Sequence, residues 1–285
     1  MDNLLFIMSN GKSEKPRKRS EVTMPRTVHM ELLRPEEIRE EQEKQNIVYL
    51  PIGPLEWHGP AMPYGTDPIF ASAVAEKTAL KTGGLVMPTL WIGTERKRED
   101  DILRAKGFKY PLPYVKGMDV PNNTLPSMYA REDVFGVVVR EYLRMLVDLG
   151  FRLIVIVNGH GALGQRSTLE RLAIEFSNET PSKVIQFLPL VKINEGDDLG
   201  HGTKIETSLM CYLHPDSVDL KQFPAKPEKL KYVDYGLADD FVFSCHCSSD
   251  DAIVFDPRDA NERLGKKYID AAVAFLNEKV MEAIK

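Results

Sequence analysis

The 285-residue chain predicts an α/β fold: a mostly parallel sheet with helices on both faces. Three observations carry this. Short, continuously apolar runs alternate with amphipathic helical patterns. The apolar runs are rich in β-branched residues, as strands buried on both faces require. Each of the two strongest runs is followed at once by residues able to do chemistry, and ligands of parallel sheets gather beyond the carboxyl ends of the strands.

Taken in order, residues 1–28 read as an arm. It holds a basic cluster (Lys12, Lys15, Arg17, Lys18, Arg19) and the short apolar run Leu4–Met8. The cluster is read as a solvated tail; a contact with nucleic acid is the sharper alternative. Ile47–Gly53 is the first strand, Ile69–Leu80 a helix and Leu85–Leu90 a second strand. Gly93–Pro126 has no clear period and is expected to be a lid, a substrate wall or an oligomer contact. Glu132–Leu149 is an amphipathic helix closed by Gly150. Leu153–Val157 is the best central strand. Gln165–Ser177 is helical, Val184–Val191 is another strand, and helices follow near Ile205–Tyr212 and Arg258–Ala283. Residues 220–240 form a second loop-rich insertion.

Composition excludes several classes. Lys and Arg total 37 against 42 Asp and Glu, a net charge of −5 that argues against a whole-surface nucleic-acid binder. No apolar run reaches the roughly 18 residues of a membrane span. Three cysteines without a CxxC pair, and no secretory signal pattern, suit a cytoplasmic protein.

The chemistry follows the strands. After Ile47–Gly53 come Glu56, His58 and Asp67; after Leu153–Val157 comes Asn158-Gly159-His160-Gly161. Carboxylate oxygens and imidazole nitrogens are ligands for Zn²⁺, Mn²⁺ or Fe²⁺. Glu56 and His58 are two apart, so they share a side of an extended segment. Asp67 has two oxygens with which to bridge two ions. A solvated-loop reading of these residues stays open beside the metal site. Gly159–Gly164 also fits the GxGxxG dinucleotide pattern, but no acidic residue closes the next strand; its glycines are read as letting the backbone turn sharply around His160. His201 precedes Thr203-x-x-Glu206, a capping-box pattern, so Glu206 is either a cap or a member of the same cleft. Cys245-His246-Cys247 lacks further cysteine partners and is read as structural.

These residues resemble the creatininase (creatinine amidohydrolase) family. The resemblance rests on Pro51-x-Gly53-x-x-Glu56-x-His58-Gly59-Pro60-x-x-Pro63-x-Gly65-Thr66-Asp67, on Val157-Asn158-Gly159-His160-Gly161, on His201-Gly202-x-x-x-Glu206-Thr207-Ser208 and on Asp256-Pro257-Arg258, in that order. It covers the chain from about residue 30 onward. It implies a single-domain three-layer α/β/α sandwich over residues 29–285, commonly hexameric. The implied activity is metal-dependent hydrolysis of a C–N bond in a small amide, cyclic amide or formamide, with one or two divalent ions, Zn²⁺ first. Glu56, His58, Asp67 and His160 match family metal ligands, Asp67 as the bridge, and His201 matches a catalytic histidine. The chain departs from creatininases at Ala162, where they carry a metal-binding glutamate; Glu206 is the natural replacement, as a ligand or as the group orienting His201. Ala61 and Trp57 also replace family residues, and the tryptophans lining the creatinine pocket have no evident counterpart. A non-catalytic sensor with this fold is the second reading, and a nucleotide-binding oxidoreductase the third.

Overall fold

The computed structural model describes residues 26–193, 200–239 and 253–285. The run Leu4–Met8, the basic cluster and Cys245-His246-Cys247 lie outside the described residues. Val28 is buried, and its carbonyl accepts the Val86 amide at 2.8 Å.

The central sheet holds β1 (Ile47–Ile52), β2 (Leu85–Val86), β5 (Leu153–Asn158) and β6 (Lys183–Phe187). Its order is β2-β1-β5-β6 and every pairing is parallel. All six residues of β1 and of β5 are buried, because alternate side chains point to opposite, equally covered faces. Ile47 and Tyr49 join Val155 and Val157 on one face, against Phe70 and Val74 of α2 (Thr66–Thr82), Leu209 of α6 (Lys204–Leu213) and Tyr268 and Leu276 of α8 (Glu262–Ile284). Val48, Leu50, Ile154 and Ile156 face the other side, against Phe135, Val139 and Leu143 of α4 (Glu132–Asp148) and Leu169 and Leu172 of α5 (Leu163–Glu179). This is the three-layer α/β/α sandwich that alternation predicts. Each such side chain contributes about 1.5–3 kcal/mol on burial. A further helix, α1 (Pro35–Lys44), precedes β1.

Several boundaries differ from the sequence reading. The strand expected over 85–90 pairs only at Leu85–Val86, with an isolated bridge from Leu90 to Ile52; Pro88 cannot donate to a ladder. The strand expected to reach Val191 ends at Phe187, where Pro189 opens a 3-10 turn. α2 begins at Thr66, so Asp67 sits in a helical first turn rather than in a loop. The last helix begins at Glu262, capped by Asn261 Oδ1, which accepts the Leu264 amide.

The 93–126 stretch is folded. β3 (Gly93–Thr94) pairs in parallel with β4 (Tyr129–Ala130), α3 (Asp100–Ala105) follows β3, and Leu103, Val115, Met118 and Val120 form a small core with Tyr232 of α7 (Tyr232–Tyr235). Its apolar residues are spaced by proline and glycine rather than by a helical or strand period, so the two loop-rich insertions pack on one another without announcing it in sequence.

Candidate metal centre

The register of β1 on β5 pairs Ile52 with Asn158. The two strands therefore end side by side, and the Gly159 amide donates to the Ile52 carbonyl at 2.9 Å. The first turn of α2 is pressed into this junction. A Cβ on Gly53 would sit 2.8 Å from Asp67 Cβ, and one on Gly159 only 2.1 Å from the Asp67 carbonyl oxygen. Neither glycine, nor Gly161, adopts a positive φ. The expectation that glycines turn the chain around His160 is thus corrected: Gly159 is required by close approach of a second backbone.

This packing brings Glu56, His58, Asp67, His160, His201 and Glu206 together, each between 1% and 6% exposed. Asp67 is central. Its Oδ1 lies 3.0 Å from His58 Nε2 and its Oδ2 2.9 Å from His160 Nδ1. Glu56 Oε2 lies 3.0 Å from His160 Nδ1, and Glu206 Oε2 3.7 Å from His58 Nε2. The ligand-type atoms fall into three compact groups: Glu56–Asp67–His160, His58–Asp67–Glu206 and Glu56–His58–His201. Three of the chain's six histidines are here.

The donor set fits divalent cations. Glu56 Oε2, His58 Nε2, Asp67 Oδ2 and His160 Nε2 are buried without a hydrogen-bond partner, a costly arrangement unless another group satisfies them. Nitrogens and oxygens converge at 2.9–3.0 Å without hydrogen-bond alignment; ligands at 2.0–2.1 Å around a tetrahedral ion lie about 3.3 Å apart. Among the described residues no Lys or Arg pairs with the three carboxylates, and buried anions need a counter-charge.

Without a bound ion, His58 and His160 supply that counter-charge as imidazolium, the role a divalent cation would take over. Burial pulls His58 down, but Asp67 and Glu206 outweigh it and raise it to about 10. His160 is likewise raised against burial by Glu56 and Asp67. Asp67 is held well below the carboxylate range because His58 and His160 override its burial. Burial pushes Glu206 up to about 7, opposed by His58. His201 is the exception: burial, then the charge of His58, lowers it to about 3, so it is neutral. Its Nε2 donates to the Trp57 carbonyl at 2.6 Å, which leaves Nδ1 as the basic nitrogen.

The predicted capping box does not form, because Glu206 bonds the amide before the N-cap Thr203 rather than that of Thr203 itself. Glu206 Oε2 accepts the Gly202 amide at 2.6 Å, whereas Thr203 makes no side-chain cap and its hydroxyl is unpartnered. Glu206 is thus both a cap of the turn before α6 and a member of the cluster. The dinucleotide pattern finds no corresponding geometry: Gly159 abuts Asp67, His160 points into the cluster, and a Cβ on Gly164 would meet Glu132 Oε2 at 2.9 Å.

Some contributors escaped the sequence reading. Asn158 Oδ1 accepts the His160 amide at 3.0 Å and Gln165 Nε2 at 2.8 Å, while Asn158 Nδ2 donates to the His160 carbonyl, bracing that loop. Tyr129 donates its hydroxyl to Glu56 Oε1. Asn158 was visible within its motif; Tyr129 lies just beyond the aperiodic 93–126 stretch, where no spacing marks it. No described helix is long and apolar enough to cross a membrane.

Comparison with known proteins identifies the family. A family profile described as creatinine amidohydrolase matches residues 31–280. The chain is 28% identical over 198 residues to a creatinine amidohydrolase of Pseudomonas putida, covering 64% of this chain and 69% of that one. It is 30% identical over 149 residues to a 2-amino-5-formylamino-6-ribosylaminopyrimidin-4(3H)-one 5'-monophosphate deformylase of Methanothermobacter marburgensis, covering 52% of each. A solved mutant creatininase of Zn–Zn type superposes with a TM-score of 0.63 at 22% identity, over 90% of this chain and 98% of that one.

Proposed function

The chain belongs to the creatininase family, whose relatives matched here are hydrolases, a creatinine amidohydrolase and a formylamino-pyrimidine deformylase among them, and from that premise we propose which of its residues do the chemistry. Glu56, Asp67 and His160 would hold one divalent ion and His58, Asp67 and Glu206 a second, with Asp67 common to both. The observation that carries this is Asp67, which offers one oxygen to each side, Oδ1 at 3.0 Å from His58 Nε2 and Oδ2 at 2.9 Å from His160 Nδ1. Glu206 takes the place of the glutamate absent at Ala162, which supports a two-ion site over a degenerate, non-catalytic one. Zinc is the ion we propose, from the mixed N/O donor set and the Zn–Zn type relative. The domain spans residues 29–285, and cytoplasmic placement and a hexameric assembly belong to the same reading.

When bound, the ions polarise a scissile carbonyl and make water a nucleophile near neutral pH. The chain supplies the rest. His201, neutral and fixed by the Trp57 carbonyl, accepts a proton at Nδ1 and returns it to the leaving nitrogen. The His58 ring lies 4.3 Å from the His201 ring, so His201 stands beside the proposed ion site. The Trp57 indole, donating to the Tyr235 carbonyl at 2.6 Å, closes the side of the cleft facing the 220–240 insertion.

The substrate we propose is a small amide, cyclic amide or formamide. Purified protein is analysed for bound metal and screened against such compounds for C–N cleavage, beside Asp67→Asn. The proposal expects about two ions per chain and no turnover by the variant. Absence of bound metal with activity intact in Asp67→Asn would overturn it.

A further inference from the structure

Residues 127–129 run along the Glu56 loop as a clasp. The Trp57 amide donates to Ser127 Oγ at 3.0 Å, and the Met128 amide donates to the Leu55 carbonyl at 2.8 Å. Asp119 holds the clasp from behind: Ser127 donates to it through its hydroxyl at 2.6 Å and its amide at 2.9 Å. The next residue, Tyr129, reaches the Glu56 carboxylate. Its donor role is fixed, because the same hydroxyl accepts the Met118 amide at 3.3 Å and has one proton left, which goes to Glu56 Oε1. Gly117 makes this possible. Its φ is +59°, and a Cβ there would sit 2.6 Å from the Tyr129 hydroxyl. The two carboxylate oxygens are thus inequivalent. Oε1 is engaged by the phenol; Oε2 is buried, unpartnered and 3.0 Å from His160 Nδ1.

We infer that Tyr129 is a positioning residue that holds Glu56 as a one-oxygen ligand, with Oε2 presented to the ion shared with Asp67 and His160. This rests on the metal reading above. Tyr129 acts through Glu56 and touches neither substrate nor ion. Removing the phenol frees Oε1, so Glu56 can rotate or chelate with both oxygens, and loss of such supporting hydrogen bonds costs about 10–100-fold in metal affinity.

The test is Tyr129→Phe, read by competition of Zn²⁺ between protein and chelator, by the visible spectrum of the Co²⁺-loaded protein, and by the melting temperature of metal-free protein. The expected result is about 10–100-fold weaker binding of the first ion and a changed Co²⁺ spectrum, with metal-free melting close to wild type. Wild-type affinity and an unchanged spectrum in the variant would overturn the positioning role alone. Wild-type protein that binds no ion would overturn this inference and the metal reading together. Should Tyr129→Phe not fold, 3-fluorotyrosine at position 129 keeps ring and hydroxyl. Its ¹⁹F resonance is expected to move with the first equivalent of Zn²⁺, and an unmoved resonance counts against the proposal.

Discussion

Gly159→Ala and Gly161→Ala separate two explanations of the Asn158-Gly159-His160-Gly161 motif. The glycines are two residues apart and both have negative φ, so conformational freedom treats them alike. Their surroundings differ. A methyl on Gly159 lies 2.1 Å from the Asp67 carbonyl oxygen, whereas one on Gly161 meets nothing nearer than Leu188 Cδ2 at 4.0 Å. Relaxed C···O contacts begin near 3.3 Å, so Gly159→Ala must drive Asp67 and the His160 loop apart by about 1.2 Å. The displaced atoms are backbone at a helix start and a strand end and cannot rotate away. Overpacking of this kind costs about 1–3 kcal/mol, or roughly 2–10 °C in melting temperature for a chain of this size. With Asp67 as the shared carboxylate of the proposed site, the same shift is expected to cut turnover by about 10²-fold or more. Gly161→Ala should stay within about 0.5 kcal/mol. Differential scanning calorimetry with and without Zn²⁺, plus metal analysis, reads both variants. If Gly159→Ala matches wild type in melting and metal content, or if Gly161→Ala is equally damaging, the close-approach argument fails.

Three further outcomes are expected. His201→Ala should lower kcat by about 10²–10⁴-fold with bound metal unchanged; a parallel fall in metal content would make His201 a ligand instead, as the Glu56–His58–His201 grouping allows. Glu206→Gln keeps an oxygen for the Gly202 amide but loses the charge, so metal-free melting should hold while one of two ions is lost by elemental analysis; two retained ions would exclude Glu206 as a ligand. Asp256 feels burial, which raises it, but Arg258 donates to both its oxygens and holds it below the ordinary carboxylate range. A depressed carboxylate stabilises the fold above its unfolded value, about 3.9, and that contribution disappears as pH falls through the folded value. Melting of wild type and Asp256→Asn should therefore converge as pH falls below the unfolded value and through the lower folded one, and parallel curves would refute this.

What the sequence could show depended on whether a feature is local. Ile47–Ile52 and Leu153–Val157 are strands because a short, continuously apolar run buried on both faces has few other options, and Glu56, His58 and His160 follow them at fixed distances along the chain. Their meeting is a matter of register, which spacing alone leaves open; Ile52 opposite Asn158 supplies it. The aperiodic 93–126 stretch hid its own small core and, just beyond it, Tyr129, since a chain punctuated by Pro111, Pro113, Gly117 and Pro121 leaves no period to read. Glycine is the point where more could have been inferred. Gly53 and Gly159 each stand directly beyond a fully buried parallel strand, where no turn demands φ above zero. A glycine with no conformational reason has a steric one, so another backbone must pass within van der Waals distance. Two such glycines at adjoining strand ends imply a single intruder, and the candidates are few: a segment whose own side chain belongs in the same cleft. Thr66-Asp67-Pro68 meets that requirement, with Asp67 touching both glycine positions. The convergence of the ligands is thus encoded as missing side chains as much as by the ligands themselves.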